Sequence, residues 1–245
     1  MPLTLPSSVQ EYLAQYRHKI ELHTHTYPVS GCSKYSPDAL IRDLAAKGYS
    51  TVVITNHISP GSAFHAAEDP VQAFLSDYRT ARETGEKLGV HVLLGAEYHL
   101  QETANDYLVF GVDEEFLRES IHCLDMPYAD FYAKFRSPER LIVQAHPFRR
   151  GMMRTPASLL DGAEVFNMHP NHHGQNPAAV RWADEENIPV MTMGSDVHFP
   201  GGEGMCALRA KSAPANNEEL LTLLRSGDYL MEIAGCPLIP QTFYK

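Results

Sequence analysis

The sequence predicts an α/β protein built on a parallel sheet, with a closed TIM-like barrel as its natural architecture. Three observations carry this expectation. Short apolar segments recur along the chain, each bounded by polar residues, Gly or Pro. Helix-length amphipathic stretches lie between them. The residues that follow the apolar segments are repeatedly His, Asp, Glu or Asn. Strand–helix alternation repeated seven or eight times implies βαβ units. So many units in 245 residues favour closure over an open sheet. The doubly wound alternative lacks a GxGxxG after its first strand, and there is no Walker-type phosphate loop.

The predicted strands are 19–22, 51–55, 91–95, 106–111, 141–145, 163–166, 189–193 and 229–233. They are rich in Val, Ile, Leu, Phe and Tyr and mostly apolar throughout, as strands covered on both faces are. Ser36 as N-cap and Pro37 at the first helical position open a helix that runs through residue 46 and ends at Gly48. Residues 71–88 form a longer amphipathic helix with Gly89 behind it, and 176–186 and 217–224 read similarly. Residues 114–123 and 127–135 are further helices. No repeat or linker divides the chain, so a single domain over residues 1–245 is expected.

Composition excludes several classes. Hydrophobic residues make up 44%, too many for a disordered chain. Lys and Arg total 20 against 30 Asp and Glu, a net charge of −10. That balance disfavours extended nucleic acid and anionic membranes, which need clustered positive charge. No apolar run approaches the ~20 residues that span a bilayer, and residues 1–19 do not read as a signal peptide. The four cysteines, Cys32, Cys123, Cys206 and Cys236, are far apart with no CxxC pair, which suits a reducing cytoplasm. The chain also has 13 His, and their positions matter more than their number.

Strand one runs into His23-Thr24-His25, strand two into Asn56-His57, and strand three into Glu97. Strand four ends near Asp113, strand five runs into His146-Pro147, strand six into Asn167 and His169, and strand seven into Asp196 and His198. In a parallel barrel these ends open on one face. His nitrogens and carboxylate oxygens are ligands for Zn, Mn and Fe. The HxH and Asp196-x-His198 spacings put both side chains of each pair on one side, because a strand repeats every two residues. Glu97 could bridge two ions.

In this order, Glu21-Leu22-His23-Thr24-His25-Thr26, Ile54-Thr55-Asn56-His57, Gly95-Ala96-Glu97, Gln144-Ala145-His146-Pro147 and Gly194-Ser195-Asp196-Val197-His198 resemble the PHP (polymerase and histidinol phosphatase) superfamily. The resemblance implies a distorted (β/α)7 barrel with two or three divalent ions and hydrolysis of a phosphate ester. It implies that His23, His25, Glu97 and Asp196 hold one ion, Glu97 and His146 a second, and His57 with His198 a third. Asp113 stands near a strand-four position that is often His in trinuclear members. Glu21 and Asn56 replace Asp of the family motifs. The loop 27–34 lacks the Asp or His that often completes the third site, where Cys32 or Ser33 stands instead.

The expected chemistry is attack by a metal-activated water on a small phosphorylated metabolite. His57, Asp196 or His198 would move the proton to the leaving group. Arg149 and Arg150 follow the fifth strand end and suit a phosphate, with Lys34 and Arg154 as further cations. His169, His172 and His173 are expected near the pocket. Histidinol phosphatase-like monoester cleavage is the leading expectation. The alternatives are a phosphodiesterase on a small cyclic or nucleotide phosphate, an amidohydrolase-like C–N hydrolase, and a non-catalytic metal-binding module. Oligomeric state is not legible.

Overall fold

The computed structural model describes residues 6–239. The ends of the span assigned to one domain, and residues 1–5 of the stretch read for a leader, lie outside the described residues. The described elements are α1 (Ser7–Leu13), β1 (His18–Glu21), α2 (Pro37–Ala46), β2 (Tyr49–Ile54), β3 (His57–Ile58), α3 (Pro70–Leu88), β4 (His91–His99) and β5 (Asp106–Phe110). There follow α4 (Glu114–Ser120), α5 (Tyr128–Phe135), β6 (Leu141–Gln144), β7 (Gly162–Asn167), α6 (Asn176–Glu185), β8 (Val190–Gly194), β9 (Cys206–Ala210), α7 (Asn217–Ser226), β10 (Leu230–Ile233) and β11 (Cys236–Leu238). Among the described residues, no helix is long and apolar enough to cross a membrane.

Local chemistry explains the helices. The Ser36 side chain accepts from Ala39 N, and Pro37 opens α2 with its φ already set. Asp69 caps α3 by accepting from Val71 N and Gln72 N, and Gly89 ends it in the left-handed region at φ 73°. Leu40, Ile41 and Leu44 of α2 are fully buried, each contributing roughly 1.5–3 kcal/mol.

The strands form one curled sheet in the order β11-β10-β9-β1-β2-β4-β5-β6-β7-β8, with β3 paired to β4. Both faces are covered. Val53 on β2 packs inside the curl with Leu22, Leu93 and Val143, while its neighbours Val52 and Ile54 pack outward against Leu40 and Leu44. That is why the strands are apolar throughout rather than alternating.

Two expectations about topology need correction. The sheet is not uniformly parallel: β5 runs antiparallel to both β4 and β6. The reason is length. β4 extends to His99, leaving only residues 100–105 before β5, and a parallel crossover takes a dozen or more residues. Likewise β10, expected as an eighth barrel strand, pairs antiparallel with β9, which itself pairs antiparallel with β1.

Regular barrel closure is also not what forms. β8 is the last strand in the order and makes no ladder with β1. Beyond their C-terminal ends, Thr24 and Val197 form one isolated bridge. It is held by His25 N to Val197 O (3.0 Å) and Val197 N to His23 O (3.3 Å). The sheet is a half-barrel drawn together at one rim.

Candidate metal centre

That rim gathers most of the predicted ligands. Beyond β1, His23 and His25 lie two residues apart on extended backbone, so their rings face the same way. Thr24 between them turns its hydroxyl to the Val53 carbonyl at 2.8 Å. Both rings are completely buried. Glu97 on β4 lies in parallel register with His57 on β3 and is the hub. Its Oε2 is 3.3 Å from His23 Nε2, 3.2 Å from His25 Nε2 and 3.0 Å from His57 Nδ1. Its Oε1 is 3.1 Å from His146 Nε2. Asp196 faces it from the β8 side, with Oδ1 3.5 Å from His23 Nε2, 3.3 Å from His25 Nε2 and 3.3 Å from His198 Nδ1.

Despite these distances, His23 Nε2, His25 Nε2 and Glu97 Oε2 make no hydrogen bond. Buried polar atoms are nearly always paired, and an unpaired one costs about 1–3 kcal/mol. Lone pairs that converge without bonding one another fit ligands directed at shared cations. Four sets have ligand atoms within 4.8 Å of one another: His25–His57–His198, His23–His25–Glu97, His23–His146–Asp196 and Glu97–Asp106–His146. The donor chemistry is imidazole and carboxylate, which suits Zn, Mn or Fe.

Electrostatics agree. Burial would raise the Glu97 and Asp196 carboxyls, but the surrounding imidazoles, His23 foremost, hold both well below the usual range. Burial would lower His23, yet the charges of Glu164, Asp196 and Glu97 hold it well above its ordinary value, a pull toward positive charge that a cation could answer in place of the proton. His25 is pushed down to about 4 by burial and by its neighbours His57 and His198.

Glu164 on β7 was not anticipated. Its Oε1 sits 2.8 Å from His23 Nδ1, which fixes the tautomer that turns the Nε2 lone pair to the cluster. Its Oε2 accepts from His146 N at 3.0 Å and Asn167 Nδ2 at 2.9 Å. Gly194, at the end of β8, makes this pairing sterically possible. A Cβ there would run into His23 Cβ and lie 2.7 Å from Glu164 Oε1. Glu164 was hidden because a lone Glu inside a strand reads as a solvent-facing position. Two of the candidate ligands also carry backbone strain, His146 at φ 29° and Asp196 at φ 51°. Such conformations persist where surrounding contacts over-determine them, and they cluster at functional sites.

Asp113 is not brought to this rim. Because β5 runs in reverse, its C-terminal end points to the opposite end of the sheet. There Asp113 caps α4, accepting from Phe116 N at 2.7 Å. The same reversal brings Asp106, at the start of β5, to the cluster: its Oδ2 is 3.7 Å from His146 Nε2, and its Oδ1 pairs with His99 Nδ1 at 2.7 Å.

Cys32, His57, Arg149, Arg150, His169 and His172 line the cavity over the cluster, whose volume is about 810 Å³. That is the size of a small-molecule site. Arg149 Nη1 is 3.9 Å from Asp106 Oδ2, and His172 Nδ1 is 3.4 Å from Asp196 Oδ2. Lys34 and His173 are exposed and outside the cavity lining. Ser33 is buried, its hydroxyl 2.9 Å from the His25 carbonyl and 3.0 Å from that of His198.

No curated protein matches the sequence. Among solved structures, the chain is similar to a two-domain protein from Bacteroides vulgatus containing a predicted PHP-like metal-dependent phosphoesterase. The identity is 18% and the TM-score 0.64, over 88% of this chain and 64% of that one. It thus spans less than two thirds of that protein. It is also similar to PsfC from Pseudomonas syringae, with 16% identity and a TM-score of 0.61, over 92% and 93% of the two chains. At these identities the likeness is one of fold. The model of the PHP domain matches residues 21–171, a stretch that opens just before the His23–His25 pair and takes in Glu97, His146 and the supporting Glu164. Sequence model, fold and converging ligands agree, and the chain belongs to the PHP domain family.

Proposed function

We propose that the protein hydrolyses a small phosphorylated metabolite, as a metal-dependent phosphomonoesterase working in the cytoplasm. The observation that carries this reading is the buried convergence of Glu97 Oε2 with three imidazole nitrogens at 3.0–3.3 Å, beneath a cavity lined by two arginines. His23, His25, Glu97 and Asp196 would hold one divalent ion, Glu97, His146 and Asp106 a second, and His57 with His198 a third. Ions held there would act as Lewis acids toward phosphoryl oxygens and make water acidic enough to attack at neutral pH.

The chain's own residues supply the rest. Glu164 keeps His23 in one tautomer, and Asn167 Nδ2 steadies Asp196 Oδ2 at 3.1 Å. Arg149 and Arg150 offer forked donors that orient phosphate. Proton transfer to the leaving alkoxide falls to His172, which lines the cavity with Nδ1 3.4 Å from Asp196 Oδ2, since ligation would occupy His57, His198 and Asp196. The four cysteines are free in the structure, which supports a reducing compartment. The net charge of −10 supports a small substrate rather than extended nucleic acid or a membrane surface.

The test is metal content by mass spectrometry together with hydrolysis of p-nitrophenyl phosphate after Mn, Zn or Fe loading, with phosphodiester and amide panels alongside. Wild type should bind two or three ions per chain and cleave the monoester, and His23→Ala/His25→Ala should lose both properties. Substoichiometric metal without activity, or cleavage confined to the diester or amide panel, would overturn the proposal.

A further inference from the structure

Just before the isolated Thr24–Val197 pair, the split in the sheet is bridged by a side chain that the metal chemistry leaves unused. β1 ends at Glu21 and β8 at Gly194, and no ladder joins the two strands. Elsewhere around the curl, paired main chains tie each strand to its neighbour, and Glu21 itself stands in parallel register with Val52 of β2. Across the split, the Glu21 carboxylate takes over that task. Its Oε1 accepts from Ser195 N at 3.0 Å, from Leu22 N at 3.0 Å and from His23 N at 3.1 Å. One oxygen thus holds main-chain donors of both lips. One of those donors belongs to the candidate ligand His23, and another to Ser195, which precedes Asp196.

The surroundings of Glu21 point the same way. The side chain is 1% exposed, and its Oε2 has no hydrogen-bond partner. Burying a carboxylate with one oxygen idle is costly. A hydrocarbon side chain of the same size would avoid that cost but would accept none of the three N–H groups. The lips also touch at this level, since a Cβ on Gly194 would run into His23. Asp196 has φ 51°, a conformation that persists where neighbouring contacts over-determine it. The bond at Ser195 N, one residue earlier, is such a contact.

We propose that Glu21 is a positioning residue. Its Oε1 stands in for the missing ladder between β1 and β8, and sets the separation of the His23–His25 pair from the Asp196–His198 pair before any ion binds. The inference rests on the metal-centre reading above, and adds to it a residue that bonds to backbone rather than to a ligand side chain. Two kinds of ion position follow. The position of His23, His25, Glu97 and Asp196 draws on both lips and depends on Glu21. The position of Glu97, His146 and Asp106 draws on β4, β5 and the residues after β6, all on one side of the split, and does not.

The test reads single amides by NMR in the metal-free full chain, and metal affinity by competition with a chelator. In wild type, the Ser195 and His23 amides should exchange with solvent far more slowly than open-loop amides. Glu21→Gln keeps an acceptor oxygen at the same reach and should keep that protection. Glu21→Leu keeps the bulk without an acceptor, and should speed exchange at both amides about 10-fold or more while amides of α3 stay unchanged. It should also weaken one ion per chain about 10–100-fold and leave another unchanged, a division that a general loss of stability would not produce. Protection in Glu21→Leu equal to wild type, exchange raised evenly over the molecule, or Glu21→Gln behaving as Glu21→Leu does, would overturn the inference. So would a fast-exchanging Ser195 amide in wild type, a result that needs no variant to fold. Each of these leaves the phosphoesterase reading standing. Wild type that takes up no metal would overturn both.

Discussion

The two ends of the sheet collect the same kinds of residue under opposite conditions. At the end away from the cavity, Asp113 accepts from Phe116 N at 2.7 Å and Asn216 accepts from Glu219 N at 2.9 Å. Asp161 there takes Ile142 N at 2.8 Å and the Tyr132 hydroxyl at 3.0 Å. Each of these oxygens has the donor it faces. At the rim, Glu97 Oε2 faces three ring nitrogens and bonds to none. Residue type and strand-end position do not separate a cap from a ligand. At Glu97 an unsatisfied buried oxygen does, because leaving it without a donor carries a cost that a helix cap does not incur.

The strongest way to break this comparison is to remove the rim's shared charge while keeping its shape. Glu97→Gln should lower phosphomonoester kcat/KM by roughly 10³-fold and strip metal. Retained metal with near-normal turnover would place Glu97 with the caps. Next in size is Glu164→Gln, which leaves every proposed ligand in place but loosens the His23 tautomer. Metal affinity measured by competition with a chelator should fall about 10–100-fold. Asp113→Ala tests the other end. It should cost about 1 kcal/mol of stability, a Tm drop of roughly 2–4 °C by calorimetry, with metal content and turnover unchanged. A loss of metal would reverse the assignment of the two ends.

The smallest expected effect lies between them, at Asp77 of α3. Its Oδ2 accepts from Thr26 Oγ1 at 2.9 Å and Val29 N at 3.1 Å, which ties the start of the Cys32 loop to the helix. Burial raises its carboxyl above the ordinary value despite these bonds. A raised carboxyl binds its proton more tightly folded than unfolded. Its contribution to stability is therefore fully present below the unfolded value of about 3.9 and fades as pH rises through the folded value. Asp77→Asn should flatten that slope in urea titrations across mildly acidic pH. An unchanged slope would show the carboxyl to be unshifted.

Much of this was legible in the residues. The apolar runs at 51–55, 141–145 and 189–193 located β2, β6 and β8, because strands covered on both faces have no polar side to interrupt them. The placing of His23, His25, Glu97, His146 and Asp196 at one rim was legible because each stands within three residues of the end of such a run. Strand direction was not legible. An apolar run looks the same either way along, so the candidate ligand of β5 was sought at its end, Asp113, when the short link from His99 reverses the strand and brings its start, Asp106, to the cluster. Glu164 was hidden for a related reason, since its link to His23 depends on the close approach of β7 to that ring past Gly194. β3, only two residues long, carries too few residues for any periodicity.

The single Thr24–Val197 bridge has a consequence for the whole molecule. His23 and His25 stand on one lip of the split sheet, and Asp196 and His198 on the other. Any ion ligated from both lips acts as a clasp, and part of its binding free energy becomes free energy of folding. Backbone amides on the two lips would then exchange with solvent more slowly as the metal concentration rises, while the distant α1 would not respond. A trace ion outside the molecule would thereby set how firmly the ring is shut.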